Sequence, residues 1–203
     1  MARDILGGSS DDLGSNNIGA IIIFEGIAPV EGIAEFDSGE LDLSRYRAIE
    51  IEFSGRSDNN DIYEQCRIVF NSDNTALHYH QATMWSNPLS SGGGGFGSQW
   101  GTAVGILAGY ATGDTAQAGY VSEWRARIDR PGDARLPMPV DATTRYIENR
   151  DSSHLGTKNG PEHISIAGFW TPDTADAIEQ ILVYPELGNE FVEGSRLIVR
   201  GIM

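Results

Sequence analysis

Apolar residues recur at every second position along most of this chain. That period fits the two faces of a β-strand rather than the 3.6-residue turn of a helix. Ile49, Ile51 and Phe53 alternate with Glu50 and Glu52. Ile62, Glu64, Cys66, Ile68 and Phe70 share a face, opposed by Tyr63, Gln65, Arg67 and Val69. Tyr120, Trp124, Ala126 and Ile128 stand opposite Glu123, Arg125 and Arg127, and Leu197 and Val199 alternate with Arg196 and Arg200. Such runs put one face on a core and the other in water, which predicts that Ile51, Phe53, Ile68, Phe70, Trp124 and Ile128 are buried. Turn-forming clusters separate the runs: Ser57-Asp58-Asn59-Asn60-Asp61, Asn71-Ser72-Asp73-Asn74, Arg130-Pro131-Gly132-Asp133 and Glu186-Leu187-Gly188-Asn189. Helix signals are confined to Asp173 to Gln180, read as one short turn with Thr171 or Asp173 as its cap. Short strands with frequent turns predict an all-β fold, an antiparallel jelly-roll-like β-sandwich. Residues 1–17, rich in Gly, Ser, Asp and Asn, read as a flexible N-terminal lead-in or arm, and 18–203 as a single β-domain. Ser90 to Gly101, with four glycines at 92–95, reads as a loop.

A chain of 203 residues buries roughly 70% of its unfolded surface, so it needs no disulfide or metal staple. Against 14 basic residues stand 29 acidic ones, a formal net charge of −15. Such a surface repels phosphate backbones and anionic lipid, which argues against nucleic-acid and membrane partners. The one cysteine, Cys66, lies in an alternating apolar run and reads as a buried structural thiol. The first apolar cluster, Ile21-Ile22-Ile23-Phe24, is too short for a signal peptide and is followed by Glu25. The expectation is a product made in the cytoplasm.

Several residue groups carry chemistry in other proteins. His78 and His80, two apart, share a face if they lie on one strand, as a metal site on a β-barrel requires. A cupin-type site also needs a nearby Glu and a third His. Gln81 to Gly97 holds no acidic residue, and no spacing ties His154 or His163 to the pair. Asp58, Asp61 and Asp73 offer hard oxygen ligands for calcium, but in the composition of ordinary turns and without an EF-hand pattern. Glu50 and Glu52 read as solvated charges. The glycine run lacks the Gly-Lys-Ser/Thr of a phosphate cradle. Asp151-Ser152-Ser153-His154 has triad residue types without a GxSxG elbow. Of Trp85, Trp100, Trp124 and Trp170, only Trp100, beside the glycine run, reads as an exposed candidate for ligand binding. The sequence thus points to no catalytic residue, no metal site and no cofactor.

The order of short motifs resembles a family of tailed-bacteriophage virion proteins with jelly-roll folds. The pattern runs through Tyr46 to Phe53 with Arg56-Ser57, then Phe70-Asn71-Ser72-Asp73 with Tyr79. It continues through Gly168-Phe169-Trp170, Ile178 to Ile181, and Phe191-Val192-Glu193-Gly194-Ser195 running to Gly201-Ile202. Where the family ends in Leu-Tyr-Gly, this chain has Val199-Arg200-Gly201. The resemblance implies a non-enzymatic structural protein of the virion, and the charge favours its outer surface, away from packaged DNA. The expected role is a capsid decoration or cement protein that bridges the major capsid protein and forms a homo-oligomer, a trimer. Its candidate assembly anchor lies within 18–36, on Ile21, Ile22, Ile23, Phe24, Ile27 and Val30. These residues serve equally as a first strand of the domain or as a strand added to a neighbour's sheet. The alternatives are a tail- or fibre-associated module that binds host glycans through the 92–101 loop and Trp100, and a cupin-type metalloenzyme using His78 and His80.

Overall fold

The computed structural model describes residues 19–61, 63–86, 95–100, 103–114, 121–133, 138–148 and 160–203, with the backbone alone for 85–86, 95–100, 138–148 and 160–164. The strands are β1 (Ala20–Ile27), β2 (Phe36–Asp37), β3 (Ala48–Gly55), β4 (Tyr63–Phe70), β5 (Tyr79–Ser86), β6 (Gly95–Trp100), β7 (Ile106–Thr112), β8 (Ser122–Asp129), β9 (Met138–Glu148), β10 (Gly160–Trp170), β11 (Ile181–Pro185) and β12 (Arg196–Ile202). They form an eight-stranded sheet ordered β1-β12-β3-β8-β9-β10-β5-β6 and a four-stranded sheet ordered β2-β11-β4-β7. Every strand pair within the sheets is antiparallel.

Set aside β5, β6, β9 and β10, and eight framework strands remain. The first pairs with the last (β1 with β12), the second with the seventh (β2 with β11), the third with the sixth (β3 with β8), and the fourth with the fifth (β4 with β7). This is one long hairpin rolled into two facing sheets, the jelly roll. The other four strands are insertions between framework strands. β9 pairs with β8, β10 with β9, β5 with β10 and β6 with β5, so the insertions lengthen one sheet of the sandwich.

The alternation does what the sequence predicts. Along β3 and β8 every second residue is buried, and Ile51, Phe53, Ile68, Phe70, Trp124 and Ile128 are all at most 1% exposed. Phe53 stacks on Trp124 with ring centroids 5.3 Å apart and meets Phe191 at 5.0 Å, while Phe36 of the opposite sheet stacks on Phe191 at 5.1 Å. These rings join the two layers. Two glycines are needed where they stand. Gly194 has φ +80° in the turn leading into β12, and a Cβ on Gly201 would sit 2.3 Å from the Tyr46 ring. The Asn71-Ser72 turn has both central residues at positive φ, 52° and 53°, and the Asp73 amide donates to the Phe70 carbonyl, a type I′ turn that carries the chain from one sheet toward the other.

Several expectations are corrected. Gly95 to Trp100 is a strand, not a loop, because the backbone of β5 supplies its hydrogen-bond partners whatever its glycine content. Asp173 to Gln180 forms no helix; its backbone amides are taken by Asn71 and by Pro131, and the only helical turn among the described residues is the 3₁₀ segment Ala76–His78. The outer face of β4 is in water only at its start, where Tyr63 is exposed; Arg67 and Val69 are buried under Gly105. Glu50 and Glu52 lie on the outer face as expected, and are ion-paired there. Residues 1–17, Ile18, Ile62, Tyr120 and the Asp151-to-His154 group lie outside the described residues. Among those described, no helix is long and apolar enough to cross a membrane.

Candidate functional site

The candidate anchor divides in two. β1 is hydrogen-bonded to β12, so this segment is a strand of its own sheet, and its register slips between Ile22 and Phe24. Ile23 and Phe24 pack against the core, and Phe36 closes over Gly26. By contrast Ile21 (49%), Ile22 (51%), Ile27 (61%) and Val30 (77%) are exposed. β1 ends the sheet order, with no strand on its far side among the described residues. The one charge on the strand, Glu25, is neutralised by Arg196 at 2.6 Å. An apolar edge of this kind is a template for adding another strand.

Next to it, the outer face of the same sheet carries alternating charge. Arg200 reaches Glu52 at 3.1 Å, Arg125 reaches Glu52 at 3.2 Å, and Arg127 reaches Glu50 at 3.3 Å. Exposed pairs contribute only about 0–1 kcal/mol each. They follow from the register, which puts Glu50 between Arg200 and Arg127 and Glu52 beside Arg125. On a chain of net charge −15, this face is locally balanced.

Farther along the sheet, apolar side chains stand on the outer face. Phe169 (39%) and Met84 (48%) are exposed on the outer face of β10 and β5, with Ala82 and Ala167 exposed between them. Backbone register sets Phe169 opposite His80, and His80 opposite Trp100. Trp100 is therefore a strand residue in the row that holds Phe169; its side chain lies outside the described set. Sequence reasoning missed Phe169 and Met84 because the pairing of β5 with β10 joins segments about ninety residues apart.

His78 and His80 do not share a strand. His78 closes the 3₁₀ turn and His80 lies within β5. The ring of His78 meets Asp73 instead, with Nδ1 2.7 Å from Oδ2. The same Oδ2 accepts from Trp170 Nε1 at 2.8 Å, and Oδ1 accepts from the Thr75 amide at 3.0 Å. Tyr79 donates its hydroxyl proton to the Asp73 carbonyl at 2.9 Å. Burial raises the Asp73 pKa, but hydrogen bonds from Trp170, His78 and Thr75 outweigh it and leave the carboxyl below its ordinary range. Hydrogen bonding to Asp73 in turn raises His78, against a smaller opposing effect of burial.

An oriented Asp–His pair is a component of nucleophilic catalysis when the second ring nitrogen faces a hydroxyl or thiol. Here His78 Nε2 faces a carboxylate, Asp173 Oδ1 at 3.5 Å. The lone thiol, Cys66, is fully buried and its pKa is pushed far up by desolvation. Asp58 is turned to the Glu190 amide at 2.7 Å, away from the Asp73 network. No three His, Cys, Asp or Glu side chains converge as a metal site among the described residues. A shallow acidic cleft is bordered by Glu40, Asp176 and Glu179, with Asn71 between them. Asn71 spends its amide on the loop, accepting from Glu179 and Gln180 and donating to Ala177.

The arrangement as a whole offers a free apolar edge, a charge-balanced sheet face and exposed apolar side chains on the inserted strands β5 and β10. Comparison with protein-family models, with curated proteins and with solved structures finds no match in any of the three.

Proposed function

We propose that this protein is a non-enzymatic structural component on the outer surface of a tailed-phage virion, a capsid decoration protein that bridges neighbouring subunits of the major capsid protein as a homotrimer. The observation that carries the reading is the edge of β1, where Ile21, Ile22 and Ile27 are exposed on a strand whose only charge is already paired. Contacts between highly acidic chains incur repulsion that salt screens over about 8–10 Å, so they need a neutral apolar seam. The motif order along the chain and the jelly-roll fold support the virion setting. The test is particle binding by an Ile22→Lys, Ile27→Lys variant. Both positions are exposed, so stability should stay within about 0.5 kcal/mol of the parent, while binding to purified capsids is lost. A variant that folds and decorates particles normally refutes the role of this edge.

A second reading, a tail- or fibre-associated glycan-binding module, draws on the exposed ring of Phe169 and the register of Trp100, in the same row with His80 between them. Immunogold labelling of particles separates the two. Dense label over the head supports decoration, and a few copies at the tail support the module.

A further inference from the structure

The inserted strands join the framework at one place. β5 departs from β4 through residues 71–78, and β10 returns to the framework at Trp170 before a loop, 171–180, leads to β11. His78 stands between these two connections. On one side its Nδ1 meets Asp73, which Trp170 and the Thr75 amide also hold. On the other side its Nε2 faces Asp173 at 3.5 Å, and its carbonyl accepts from the Thr171 amide at 2.8 Å.

We infer that His78 is a proton-operated latch that pins the start of the β10–β11 loop to the β4–β5 turn. The doubly protonated ring donates to both carboxylates. The neutral ring keeps its Nδ1 proton for Asp73, the partner that fixes the tautomer, and turns a lone pair toward the Asp173 carboxylate. The two arms differ in what else holds them. Asp73 is anchored by three donors, whereas Asp173 is 95% exposed, so the loop side is the one released. The charged groups acting on the ring are Asp73 from the turn and Asp173 from the loop. The Tyr79 hydroxyl, on β5, is kept neutral by burial and is bound to the Asp73 carbonyl.

The sign follows from the ring's raised pKa. A histidine whose folded value lies above its unfolded value of about 6.5 stabilises fully below that value and loses the contribution as pH rises through the folded value. The latch is closed in mild acid and loosens toward alkaline pH. Because Asp173 is exposed, the gain is modest and screened by salt. This inference does not depend on the virion reading.

The test is an imidazole titration by nuclear magnetic resonance on the full chain, with amide exchange over 171–177 measured at about pH 5.5 and about pH 8.5 and corrected for intrinsic rates. His78 should titrate above the ordinary imidazole value, and Asp173→Asn should lower its midpoint. Local opening of the loop should rise about two- to fivefold at the higher pH, the range an exposed ion pair allows. Asp173→Asn, at an exposed position, should remove that pH difference while the chain stays folded, and His78→Gln should do the same. An ordinary or lowered His78 midpoint, an unmoved midpoint in Asp173→Asn, or equal loop opening at both pH values overturns the latch.

Discussion

Replacing Asp73 with Asn tests whether the carboxylate holds the inserted strands to the framework. Its oxygens accept from Trp170 Nε1 at 2.8 Å, His78 Nδ1 at 2.7 Å and the Thr75 amide at 3.0 Å. The Asp73 side chain is 14% exposed and Trp170 is 1% exposed, so water replaces little of what is lost. Asparagine keeps one oxygen for Thr75 but turns an NH₂ toward two donors. Hydrogen bonds to a charged partner contribute about 1.5–3 kcal/mol each, and losing one while straining another should cost about 2–4 kcal/mol. Trp170→Phe removes the indole donor but keeps a ring against Phe70, whose centroid lies 5.5 Å from that of Trp170. Denaturant unfolding of the two single variants and the double variant, with m unchanged, gives the coupling. It should be about 1 kcal/mol or more, and a coupling under about 0.3 kcal/mol refutes the shared hydrogen bond. The acid limb of the stability profile gives an independent check. A carboxyl whose folded pKa lies below the ordinary 3.8 stabilises above that value and loses the contribution as pH falls through the folded pKa. Asp73→Asn should therefore flatten the decline below about pH 4.

Phe70 is fully buried at the end of β4, and Phe70→Ala should cost about 3–5 kcal/mol in chemical unfolding. Gly201→Ala should destabilise by about 1–3 kcal/mol, read as a lower Tm, since its Cβ would stand 2.3 Å from Tyr46. Cys66, buried with its thiol pKa pushed far up, should resist a disulfide reagent in native buffer and react on addition of denaturant; fast native labelling would show an open path to it.

What the sequence made legible was whatever depends on local period. Ile49, Ile51 and Phe53 had to face one way because a strand alternates, and the turn at Asn71-Ser72 falls in a turn-forming cluster whose Asn71 tolerates positive φ. What it hid depends on distant pairing. Arg67 looks like a solvent-face residue by alternation, yet it lies beneath Val104-Gly105 and pairs with Glu186 at 2.7 Å, and neither contact is local. Gly95 to Trp100 has poor strand propensity and is a strand because β5 offers an edge. His78 departs from strand alternation for the opposite reason. Its partner is only five residues away, but a 3₁₀ turn, not a strand, brings Asp73 to the ring.

The short motifs read from the sequence acquire a physical meaning from contacts within the fold. Arg56 and Ser195 exchange hydrogen bonds, the Arg56 amide donating to Ser195 Oγ at 3.1 Å and that hydroxyl donating back to the Arg56 carbonyl at 3.0 Å. Ser57 bridges to Phe191, Asp73 binds Trp170, Tyr79 binds Asp73, Gly168 lies against Ile106, and Gly201 lies under Tyr46. Nearly every element of the pattern closes a contact between segments far apart in the chain, most of them ends of framework strands. These contacts thus specify how this jelly roll rolls up, and a fold does not by itself specify a task. Residues that answer to function must be sought where no such contact explains them. Ile22, Ile27 and Val30 at the β1 edge, and Phe169 and Met84 on the inserted strands, remain exposed and complete none of these contacts. Leaving large apolar side chains in water does nothing for the isolated fold, so these two surfaces are where a partner would reward them.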